Sequence, residues 1–152
     1  MRASEATSKS IRERQRDSNI SDAITDVWLE CREDDWNGDG AKAVKDETLE
    51  LARRLLERLP MEFELPEISG DPDGAVELLW SRDRQRLALN IFSSGLVVFA
   101  GRVGSEPLTG RLRFVEDFPE ILKTHLTKFF EVRQAVVRLP RIAVQQGAQK
   151  QA

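Results

Sequence analysis

Apolar positions recur along this chain in two different rhythms, and the change of rhythm marks its organisation. Ile20, Ala23, Ile24, Val27, Trp28 and Cys31 fall at helical spacing and predict a helix over about 20–33. Leu49, Ala52, Leu55, Leu56 and Leu59 predict a second over about 47–59. Asp46 is its expected N-cap, with acids in the first turn, arginines toward the end and Pro60 as the stop. The rhythm then shortens to two. Val76, Leu78 and Trp80 alternate with Glu77, Leu79 and Ser81, and Leu87, Leu89 and Ile91 alternate with Ala88, Asn90 and Phe92. After Ser93-Ser94-Gly95 a third strand runs from Leu96 to Ala100. Residues 66–69 are a candidate short edge strand, and about 111–115 a candidate further strand. Helical spacing returns over 118–138 in Leu122, His125, Leu126, Phe129 and Phe130, with Val136 and Val137 extending the stripe and Pro119 in the first turn.

The expected fold is therefore α+β: two N-terminal helices, a small antiparallel β-meander of three to four strands, and one long C-terminal helix, with the helices on one sheet face. Residues 1–18 are polar and read as a lead-in, 19–140 as a single domain, and 141–152, rich in glutamine and alanine, as a tail.

Composition narrows the function classes. The chain has 152 residues, 40% of them hydrophobic, enough for one core. Twenty-six acidic and 23 basic residues leave a formal charge of -3, so nothing pulls the whole chain toward nucleic acid or an anionic membrane. No run approaches the roughly 20 apolar residues of a membrane span. A single cysteine, Cys31, makes no internal disulfide, and with no secretory signal at the start the expected location is the cytoplasm.

The densest candidate chemistry is Asp35-Trp36-Asn37-Gly38-Asp39-Gly40. Counted from Asp35, a calcium loop would use Asp35, Asn37 and Asp39, the glycine Gly40, and Asp46 as twelfth residue. Aspartate is short for the bidentate twelfth ligand, Lys42 stands at the eighth position, and there is no second loop to pair with. The alternative is a tight turn: Asn37-Gly38 is a turn dipeptide, Asp35 and Asp39 can cap backbone N–H groups, and Trp36 can pin the helix pair from below. That alternative is preferred, and no metal ligand is assigned.

With Ala41 after this turn, the leucine-rich helix ending at Pro60, the Asp71-Pro72-Asp73-Gly74 turn and the strand from Val76 to Trp80, the chain resembles a group of small, largely uncharacterised bacterial proteins over about residues 25–130. In that pattern the residue at Asp39 is often not an acid, which implies a structural turn. The resemblance implies no activity, cofactor or substrate.

Other chemistry is sparse. His125, the only histidine, shares a helical face with leucines and phenylalanine, and Cys31 lies on an apolar stripe, so neither is assigned a catalytic role. No phosphate-binding glycine loop, paired zinc motif or cofactor site is present. Arg82, Arg84, Arg86 and Arg102, joined by Arg111 and Arg113, form a cluster that could grip phosphates of a nucleic acid or could simply be the solvated edge of a sheet. Phe129, Phe130, Val132, Val136 and Val137 could be more than a small sheet can cover, and an uncovered stripe marks a partner site; the alternative, preferred for a stripe at helical spacing, is packing against the chain's own core. The expected function is a non-enzymatic protein that binds another protein or a copy of itself, with calcium binding and nucleic-acid binding as alternatives. Trp36 and Trp80 are expected as core anchors.

Overall fold

The computed structural model describes residues 9–131. The tail at 141–152 and the stripe residues Val132, Val136 and Val137 lie outside them. Helix α1 (Ile11–Cys31) begins nine residues before the expected start at about 20. Its first turns carry little apolar surface, and two polar devices hold them. Ser10 and Glu13 form a capping box, in which Glu13 N donates to Ser10 Oγ at 3.1 Å and Ser10 N to Glu13 Oε1 at 3.2 Å. One turn further, the Arg16 guanidinium donates to the carbonyls of Pro60 at 3.2 Å and Phe63 at 2.9 Å, tying the helix to the segment before the sheet. Residues 10–18 therefore belong to the folded unit and not to a lead-in.

Helix α2 (Asp46–Glu57) buries Leu49, Ala52, Leu55 and Leu56 as its spacing predicts. Asp46 is its first helical residue, and Lys45 holds the N-cap position without a side-chain cap bond. A third helix, α3, occupies 120–131 and buries Leu122, Leu126 and Phe129.

Between α2 and α3 lie β1 (Glu67–Gly70), β2 (Val76–Arg82), β3 (Gln85–Ile91), β4 (Leu96–Val103) and β5 (Glu106–Arg113). Their order in the sheet is their order in the chain, and every neighbouring pair is antiparallel. The meander thus has five strands, one more than the upper expectation. Tight turns join them. Gly74, at φ 89°, closes the turn from β1 to β2, where Asp71 Oδ2 accepts from Asp73 N at 2.9 Å.

The period of two sorts each strand into two faces. Val76, Leu78, Trp80, Leu87, Leu89, Ile91, Val97 and Phe99 are buried, and with the apolar stripes of all three helices they make one core on one side of the sheet. Gln85 is the one buried polar side chain of the strands. Its Nε2 donates to the Phe129 carbonyl at 3.0 Å, and its Oε1 accepts from Gly104 N at 2.8 Å. A single amide thereby satisfies a carbonyl of α3 and a turn N–H between β4 and β5. Among the described residues no helix is long and apolar enough to cross a membrane.

Candidate functional site

The loop between α1 and α2 spends its oxygens on its own backbone. Asp35, at φ 63°, accepts from Gly40 N through Oδ1 at 2.7 Å. Asn37 Oδ1 accepts from Asp39 N at 2.8 Å and from Ala41 N at 3.1 Å, and Asp34 Oδ1 accepts from Ala43 N at 3.0 Å. The half-buried Trp36 donates its indole N–H to the Lys42 carbonyl at 2.8 Å, pinning the far side of the bend. Lys42 N in turn donates to Pro72 O at 2.8 Å, so the loop is fastened to the β1–β2 turn. Among the described residues no three histidine, cysteine, aspartate or glutamate side chains gather where they could hold a metal ion. These bonds predict that Asn37→Ala costs about 1–2 kcal/mol, because two N–H groups lose one shared acceptor. Thermal denaturation should register that loss equally with and without millimolar Ca²⁺. A calcium-dependent rise in Tm that Asp35→Ala removes would reinstate the ion-binding reading.

Cys31 and His125 are not brought together. Cys31 is fully buried against Gly70 on the first strand, while His125 packs beside Phe99 on the fourth, ring centroids 5.6 Å apart. Three inter-strand spacings, about 14 Å, separate those two strands. Burial pushes the Cys31 thiol up to about 11, with the neighbouring Glu30 carboxylate adding to the shift, which keeps the thiol protonated. Burial and the charge of Lys128 lower the His125 pKa.

The arginine cluster divides. Arg82 lies on the core side of the sheet, paired with Glu64 at 2.5 Å and set over the Phe130 ring at 5.2 Å. Arg84 sits in the β2–β3 turn. Arg86, Arg102, Arg111 and Arg113 share the opposite face, and none of the ion pairs among the described residues involves them. The aromatic stripe of α3 is covered by its own fold. Phe129 is 1% exposed, and Phe130 stacks on Phe63 at 5.8 Å between centroids. Those two side chains are core, which removes them from the expected partner surface.

What remains open is the second face of the sheet. No described helix or loop lies across it, and its residues form ladders that run from strand to strand. One ladder reads Glu67, Leu79, Ala88, Ala100, Thr109, and the next Ser69, Glu77, Asn90, Val98, Arg111. The middle of this face is aliphatic and small: Leu79, Ala88 and Val98 are half-buried by their neighbours and Ala100 is exposed. The β1–β2 side carries Glu67 and Glu77, and the β3–β5 side carries the four arginines. Asn90, in the centre of its ladder, has a covered side-chain oxygen with no hydrogen-bond partner among the described residues. The sequence held the signal for this face in the apolar residues Leu79 and Val98, which sit on the phase that a one-sided sheet leaves to water.

No protein-family model, curated protein or solved structure matches this chain. The resemblance drawn from the sequence rests on its short motifs.

Proposed function

We propose that this protein works by binding another protein through the open face of its sheet. One observation carries the reading. Three helices crowd one side of a five-stranded sheet, and the other side keeps an aliphatic centre, Leu79, Ala88, Val98 and Ala100, among the described residues. A solvated sheet face ordinarily alternates to polar residues, so a contiguous apolar centre ringed by charge favours a docking surface. The reading assigns no catalytic role to Cys31 or His125 and needs no cofactor.

The four arginines of this face favour nucleic acid as a second reading. Against it, the ladders that form the face carry no aromatic ring on which bases could stack. The acids on β1 and β2 would also repel a phosphate backbone.

Val98→Glu tests the reading. The substitution lies on the solvent-facing phase, so the melting temperature should stay within a few degrees of the parent. Affinity capture from host lysate should return a protein with the parent chain, whether a copy of itself or another species, and lose it with the variant. Identical captures from both chains would refute the assignment to this face.

A further inference from the structure

We infer that the partner of the open face is a second copy of this chain, docked sheet to sheet about a two-fold axis that runs along β3. The inference rests on the reading of this face as a protein-binding surface and adds the identity and register of what binds it.

The ladders restrict which symmetric arrangements are possible. Two identical sheets packed face to face have two in-plane choices for the two-fold axis. An axis across the strands lays β1 on β1 and β5 on β5, so the acidic β1–β2 side faces the acidic side of the copy and the arginine side faces its own. An axis along the strands, through the central strand β3, lays β1 on β5 and β2 on β4. Arg111 of one copy then comes down over Ser69 of the other, with Glu77 one strand to the side and Glu67 one ladder step along. Both acids fall within reach of a guanidinium, and the contact occurs twice by symmetry.

Shape follows the same axis. In the ladder Glu67, Leu79, Ala88, Ala100, Thr109, the axis passes through Ala88, a residue small enough for close approach. Leu79 then faces Ala100 of the second copy, a large side chain over a small one, twice over. In the other ladder the axis passes through Asn90, a short polar side chain that also permits close approach. One meeting is unfavourable: Arg86 lies on β3 and approaches its own copy. Aligned sheets cross at about 30°, and a crossing centred near Asn90 carries the Arg86 pair apart toward solvent at the rim.

The area sets the affinity class. Five strands at about 4.8 Å spacing and about 20 Å length make a face of roughly 500 Å², below the roughly 800 Å² per partner of a standard stable complex. The dimer is accordingly a reversible one that forms in the micromolar range.

Charge reversal tests both partner and register. Parent chain, Glu77→Arg and Arg111→Glu are compared by light scattering after size exclusion, and by native mass spectrometry, over roughly 1 to 500 µM. The parent should pass from monomer to dimer with concentration. Each single variant should dimerise at least about tenfold more weakly at an unchanged melting temperature, since each sets like charges together. Mixing the two variants should restore a dimer made of one of each, because both cross-contacts then pair opposite charges. The doubly substituted Glu77→Arg/Arg111→Glu chain should recover the homodimer, which guards against a single variant that folds poorly. A parent that stays monomeric at 500 µM, or single variants that dimerise as well as the parent, would overturn the inference. If Val98→Glu nevertheless loses a captured protein of a different sequence, the face remains a docking surface and only its occupant is wrong. Salt-sensitive binding of an RNA or DNA probe by a monomeric parent, lost in Arg111→Glu, would overturn both.

Discussion

A Gly101→Val chain is expected to show no cooperative unfolding transition. Gly101 pairs with Leu87 across the β3–β4 ladder, and the two backbones come so close there that a Cβ would overlap the carbonyl oxygen and carbon of Arg86 and the Cα of Leu87. The Cβ collides with backbone, so no neighbouring side chain can turn aside to relieve it. Overpacking a core with flexible neighbours costs about 1–3 kcal/mol, and a collision with the ladder itself exceeds that. Domains have only about 5–15 kcal/mol to lose. Circular dichroism during heating should give a broad, non-cooperative signal or an aggregated sample, and Gly101→Ala a milder version. A valine variant that melts sharply near the parent temperature would mean that the strands separate without penalty. Gly110 offers a contrast, because the nearest atoms a Cβ there would meet belong to a side chain, the buried ring of Phe99, and not to backbone.

Trp80→Ala should produce the next largest loss, about 3–5 kcal/mol, the range for deleting a buried aromatic side chain. Trp80 is 4% exposed and also donates its indole N–H to the Glu64 carbonyl at 2.8 Å. Residues 60–66 have no regular structure to hold them, so that bond, the Arg82–Glu64 pair, the Arg16 contacts and the buried Phe63 ring dock the segment together. Alanine removes packing and docking together. Phenylalanine keeps most of the packing, leaves the Glu64 oxygen unpaired, and should cost about 1–3 kcal/mol. Urea titration measures both through the midpoint, with the slope unchanged if only stability moves. Equal losses for alanine and phenylalanine would shift the weight from the ring to the hydrogen bond.

Where the sequence pattern was strong, it located the element. The stripe of α2 and the alternation in β2 and β3 place their core residues as expected, because burial on one face writes a period directly into the chain. The misses have physical causes. The first turns of α1 bury almost nothing and are held by a capping box and one arginine, so hydrophobicity alone leaves them out, although Ser10 and Glu13 stand at capping-box spacing. Strand β5 interrupts its alternation with Gly110, which makes room for Phe99, and has Pro107 as its second residue, which an edge strand tolerates. The α3 stripe invited a partner because its cover comes from Phe63, in an irregular stretch with no periodic signal. The open face was half legible. Leu79 and Val98 could be placed on the second phase of their strands, but whether helices cover one face or two depends on tertiary packing, which alternation does not encode. The charge arrangement on that face was hidden further still, since Glu77 and Arg111 become members of one ladder only once the register of three strand pairs is known.

Because each strand of this sheet lies beside its predecessor in the chain, the hairpins can form one after another without bringing distant segments together first. Low contact order of this kind favours rapid folding, with each loop closure spanning only a few residues. The last step is of a different character. Gln85 joins the β4–β5 turn to Phe129 of α3, 44 residues further along, so newly made protein leaving the ribosome can zip its sheet early but must wait for α3 before the core is sealed.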